Sequence, residues 1–131
     1  MDNDTDIPEK DYTNANTAQG HYKAKKLAKL VRNRFGTRIQ LSSVNGIDVN
    51  IQVLEGDLDL HAFNVRVDLQ GHGAQAQSLS VGVNVNTSEL RLQELFLELE
   101  HKITDRVVHM AYCIGQASIA QQLKAIVELG G

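Results

Sequence analysis

Ile47-Asp48-Val49-Asn50-Ile51-Gln52-Val53 alternates branched apolar and polar side chains without a break. A period of two places one set on each face of a strand. Such a strand belongs to a sheet with one face on a core and the other in water. The alternation returns in Phe63, Val65, Val67 and Leu69, interleaved with Asn64, Arg66 and Asp68. It returns again in Leu79, Val81, Val83 and Val85, interleaved with Ser80, Gly82 and Asn84, and it begins at Ile39 and Leu41. Short connections between such segments predict four consecutive antiparallel strands.

The connections carry their own signals. Asn45-Gly46 predicts a tight hairpin turn before residue 47, because that dipeptide tolerates the left-handed backbone the turn needs. Glu55-Gly56-Asp57 is the next expected turn. Leu58, Leu60 and Ala62 share one parity and Phe63 onward takes the other, which predicts a bulge or break at Ala62/Phe63. Gly71-His72-Gly73-Ala74-Gln75-Ala76 matches the letters of a dinucleotide fingerprint. That motif opens a helix, and here a strand follows, so residues 71–77 read as a flexible hairpin loop.

Outward from the strands the period becomes 3.6. Ala24, Leu27, Ala28, Val31 and Phe35 share one face of a helix expected over 20–35, with Gly36 as its cap. After Asn86, Thr87 and Ser88, all good N-cap residues, a long helix is expected. Its main stripe is Leu92, Leu95, Phe96, Leu99, Ile103, Val107, Met110 and Ile114. Ile119, Ala120, Leu123, Ile126 and Val127 are expected to continue that stripe, with Gly115 and Ser118 as points where the helix bends or splits. The order helix, four strands, long helix predicts an α+β two-layer sandwich.

The chain has 131 residues, 42% of them apolar and 22% charged. That suits a single domain over 20–131. Residues 1–19 hold the lone Pro, several Asn and Thr, and five acids, and read as a mobile acidic tail. One Cys excludes an internal disulfide, and no apolar run is long enough to span a membrane. The acidic start, Met1-Asp2-Asn3-Asp4, is unlike a signal peptide, so the cytoplasm is the expected compartment.

Net charge is −3, yet Lys23, Lys25, Lys26, Lys29, Arg32, Arg34 and Arg38 fall within sixteen positions. Clustered cations attract anionic partners. An acidic protein or a nucleic acid is the expected partner, held by Lys23, Lys26, Lys29, Arg32, Arg34, Arg38 and Arg66. The alternative is a phosphorylated or nucleotide-like small molecule bound between subunits. Arg32, Arg34, Arg38 and Arg66 would clamp it, and the 71–77 loop would be the lid.

The long helix carries a second apolar stripe, Leu90, Leu97, Val108, Ala111 and Tyr112. Together the stripes are wider than one sheet face requires, so a homodimer or higher oligomer through this stripe is expected. No grouping identifies a reaction. His101, Asp105 and His109, beside Glu94 and Glu98, are ligand types, but residues eight apart are separated by about 12 Å of helix rise. They read as a solvated face, and no metal or cofactor is expected. Cys113 and His109 lie one turn apart with no third group to orient them. The outward sheet face (Gln40, Asp48, Asn50, Gln52, Asn64, Arg66, Asp68, Ser80, Asn84) is rich in amides and hydroxyls suited to a polar ligand. The expectation is a non-enzymatic oligomeric binding or adaptor protein.

Overall fold

The computed structural model describes residues 15–36, 38–40, 46–56 and 62–130. Helix α1 (Ala15–Phe35) is followed by strands β1 (Arg38–Ile39), β2 (Ile47–Glu55), β3 (Ala62–Gly71) and β4 (Gln77–Asn84), then by helix α2 (Glu89–Gly130). The strands form one antiparallel sheet in chain order. Both helices pack on the same face of it, giving the α+β sandwich expected from the two periods.

Parity decides what is buried. Ile47, Val49, Ile51 and Val53 of β2 meet Phe63, Val65, Val67 and Leu69 of β3 in the core. Ala24, Leu27, Ala28 and Val31 close it from α1, and Leu92, Leu95, Leu99, Ile103, Met110 and Ile114 close it from α2. His21 is buried beside them, its ring 5.1 Å from that of Phe63. Alanines at positions 24 and 28 leave room for α1 to lie close on the sheet.

Both helices are capped as their sequences require. Gly36 adopts φ 65° and its N–H donates to the Arg32 carbonyl at 2.8 Å. Ser88 Oγ accepts the Arg91 N–H at 3.0 Å and its carbonyl accepts the Leu92 N–H at 2.9 Å. Asn84 and Thr87 bind each other's backbone in the turn before it.

Four local expectations change. Helix α1 starts at Ala15, so residues 15–19 belong to the helix and not to a tail; exposed first turns need no apolar stripe to mark them. Ile39 pairs with Ile47, which centres the β1–β2 connection well before Asn45-Gly46. Residues 41–45 lie outside the described residues, but Gly46 has no positive φ. It is needed for a different reason: a Cβ there would fall on the Ile39 carbonyl oxygen. The β2–β3 ladder is unbroken from Ile47↔Gly71 to Glu55↔Phe63, so no bulge falls at Ala62/Phe63. Leu58 and Leu60, the other residues of that expectation, lie outside the described residues. Finally, α2 runs through Gly115 and Ser118 as one helix.

At 1.5 Å per residue, a helix of 42 residues is about 63 Å long, against about 33 Å for the ten-residue strand β3. The last α2 residue described as buried is Ile114, and Leu123, Lys124 and Ile126 are exposed. Among the described residues, no helix is long and apolar enough to cross a membrane.

Candidate functional site

The cations singled out in the sequence do not form one surface. Lys23 Nζ donates to the carbonyls of Val85 and Thr87, at 2.8 and 2.7 Å, and ties α1 to the β4–α2 turn. Lys26 pairs with Glu89 at 2.8 Å; that hydrogen bond holds its ammonium above the ordinary lysine pKa. Arg34 reaches Glu100 at 2.6 Å. Arg32 donates to the Ile51 carbonyl at 2.8 Å. These four side chains fasten the first helix to β2, the β4–α2 turn and α2, and an anionic partner would have to displace those contacts. Lys29 is exposed on the outer side of α1.

Arg38 and Arg66 lie on the opposite side of the sheet. Arg38 faces Asp48 across the β1–β2 ladder, with Nε 2.9 Å from the carboxylate. Arg66 Nε donates to Asp68 at 2.9 Å and to Ser78 Oγ at 3.2 Å, while Ser78 donates to Asp68 at 2.5 Å. The four arginines of the nucleotide reading are therefore divided two and two by the sheet. Strand parity was the signal that separated Arg66 from the helix cations.

The polar sheet face does contain two adjoining depressions, of about 430 and 360 Å3, which share Asp48, Gln70 and Ala76. Arg38 and His72 border the first, and Arg66, Asp68 and Ser78 the second. Each guanidinium is opposed by its own carboxylate, so the trough has little net positive charge to offer a phosphate. The 71–77 loop forms its rim, with Gly73 at φ 95° turning the chain.

Catalytic groupings fare no better. Cys113 Sγ is 3.7 Å from His109 Nε2. His101, Asp105 and His109 are exposed. Among the described residues, no three His, Cys, Asp or Glu side chains converge as metal ligands would.

The outward face of α2 is what remains. Leu90, Leu97, Val108 and Tyr112 are 67, 60, 65 and 66% exposed on the side of the helix away from the core. Ala111, grouped with them in the sequence, is half-buried at the edge of that face. Leu123 and Ile126, expected in the core stripe, are exposed at 59 and 65%. Their true face was readable from spacing. Positions 90, 108 and 126 are 18 residues apart, which is five full turns of an α-helix, so they lie on one line. The side chains flanking that line are Glu94, Glu98, His101 and Asp105.

No family of known proteins matches the chain, nor does any curated protein or solved structure.

Proposed function

We propose that this is a non-enzymatic, self-associating interaction protein of the cytoplasm, and that the outward face of α2 is its association surface. One observation carries the reading. A single helix that already buries one stripe in its own core holds four or more large apolar side chains in water on the opposite side. Water penalises that area at roughly 25 cal/mol per Å2, so covering a few hundred Å2 of it yields several kcal/mol. Monomers rarely leave such a stripe uncovered. An acidic macromolecular partner becomes secondary in this reading, because most of the cations meant for it hold α1 in place.

The test is the mass in solution. Sedimentation equilibrium should return at least twice the chain mass of 14.5 kDa. The double variant Leu97→Glu, Val108→Glu should return the monomer mass with an unchanged far-ultraviolet spectrum, since both sites lie outside the core. A monomeric wild-type chain at the highest soluble concentration overturns the proposal.

A further inference from the structure

We propose that the free edge of β4 binds an extended peptide of a partner protein, added to the sheet as an antiparallel strand that ends in a carboxylate near Arg106. This site is separate from the outward face of α2 and does not depend on it. The ladder shows which backbone groups the edge offers. In an antiparallel pair each residue turns its N–H and C=O to one side, and the next residue turns them to the other. The Gly56 N–H donates to the Ala62 carbonyl at 2.9 Å, in register with the β2–β3 ladder. Even-numbered residues of β3 therefore face β2, and odd-numbered ones face β4. Through the pair Val65↔Val81, the odd-numbered residues of β4 face β3. Asn84 agrees: its N–H and carbonyl both bond to Thr87, at 3.0 and 3.1 Å. The N–H and C=O groups of Ser78, Ser80 and Gly82 are left pointing out of the sheet.

This edge lacks the usual protection. Proteins blunt an outer strand by keeping it short, charging it, or placing Pro or a bulge in it. The opposite edge follows that rule, since β1 has two residues and one of them is Arg38. Strand β4 has eight residues, Gln77 to Asn84, with no charge and no Pro, and it pairs with β3 without a break. Its apolar side is also incomplete. Val65, Val67 and Leu69 of β3 are buried, whereas Leu79 and Val81 of β4, on the same face, are only half-buried. A further strand would cover both and take up the outward hydrogen bonds, which is how sheets capture extended peptides.

Arg106 decides what kind of strand fits. Its Nη1 donates to Gln77 Oε1 at 2.9 Å, which sets this guanidinium of α2 at the first residue of β4. That acceptor is a neutral amide, and among the described residues Arg106 joins no ion pair. Arg34, Arg38, Arg66 and Arg91 each meet a carboxylate. A second copy of β4 has no carboxylate to bring to Arg106, whereas a partner peptide with Asp or Glu has one. Opposite residues of an antiparallel pair share a face. The peptide residue opposite Gln77 therefore lies on the helix side, in line with those opposite Leu79, Val81 and Val83. From its N-terminus the fitting peptide alternates apolar and small polar residues and closes on an acidic one. Its small polar residues fall beside Ser78, Ser80 and Gly82 on the outer face.

The probe is a peptide that alternates valine and serine and closes on glutamate amide, labelled with fluorescein at its N-terminus. It is titrated with the full chain and followed by anisotropy. Binding should saturate, and it should weaken about tenfold or more when the serine amides of the peptide are N-methylated, which removes its donors to β4 and keeps its side chains. Ser80→Pro removes an outward N–H and leaves the β3 ladder intact, so it should weaken binding about as much without lowering the melting temperature of the free chain. Arg106→Gln should weaken the glutamate peptide roughly two- to fivefold and leave a glutamine-ended peptide unchanged. No binding at millimolar peptide, or binding that N-methylation leaves intact, overturns the proposal. Equal losses for both peptides with Arg106→Gln overturn the carboxylate contact. A lower mass of the Ser80→Pro chain in sedimentation, with no peptide bound by the wild type, assigns the edge to a second copy and overturns the peptide.

Discussion

Two glycines in this chain should respond to alanine with opposite signs. At Gly46 the new methyl would strike the Ile39 backbone carbonyl, and the 3.1 Å approach of Arg38 Cγ closes another side. Backbone cannot yield as a side-chain tip can, so Gly46→Ala should cost about 1–3 kcal/mol in denaturant titration. At Gly115 the methyl enters open space in a helix interior. There Gly115→Ala should stabilise the folded protomer by about 0.5–1 kcal/mol, the ordinary propensity difference. A loss of fold stability at Gly115 would mean that the helix needs its freedom there. Core side chains give a reference scale: Leu27→Ala or Leu99→Ala, both fully buried, should cost about 2–5 kcal/mol.

At the level of elements, α1 is a covering helix fastened by cations. Its four contacts differ in worth, and the differences are measurable. Lys23 is part-buried and donates to the carbonyls of Val85 and Thr87 in the β4–α2 turn, so Lys23→Met leaves both without that donor and should cost about 1–3 kcal/mol. Arg34→Gln removes an exposed ion pair and should cost less than about 1 kcal/mol. Lys29→Ala should be silent in thermal melts. If Lys29→Ala and Lys23→Met prove equal, the fastening role of Lys23 is wrong. The elements themselves were legible in the sequence, because Ile47–Val53 and Leu92–Ile114 each keep one period throughout. What the cations do was not legible. Helical spacing shows that Lys23, Lys26 and Arg34 avoid the apolar stripe, but their acceptors, Val85, Glu89 and Glu100, lie more than sixty positions away. The Asn-Gly signal misled for a related reason: a dipeptide reports local backbone preference, whereas the register Ile39↔Ile47 is set by pairing across strands.

For the whole molecule, the two apolar stripes of α2 link folding to association. One stripe holds Leu92 through Ile114 against the sheet, and the other offers Leu90, Val108 and Ile126 to a partner. Because they share one backbone, anything that binds the outer stripe stabilises the helix that forms the inner one. Binding to the native state alone raises its stability by RT ln(1 + [L]/Kd), which is about 2.7 kcal/mol at a hundredfold excess over Kd. Self-association makes the protein its own ligand, so its Tm should rise with protein concentration. Over a hundredfold dilution series a domain of this size should shift by several degrees, since about 1 kcal/mol moves Tm by roughly 4 °C or less above 100 residues. The Leu97→Glu, Val108→Glu variant should melt at one temperature throughout, and below the wild type only where the wild type is associated. An interface made of apolar residues should also hold in salt, because screening weakens ion pairs and leaves hydrophobic burial intact. Melting and sedimentation in dilute and in molar sodium chloride distinguish the two surfaces considered for this chain: association that persists belongs to the outward face of α2, whereas association that salt abolishes returns the cations of α1 to the centre of the protein's function.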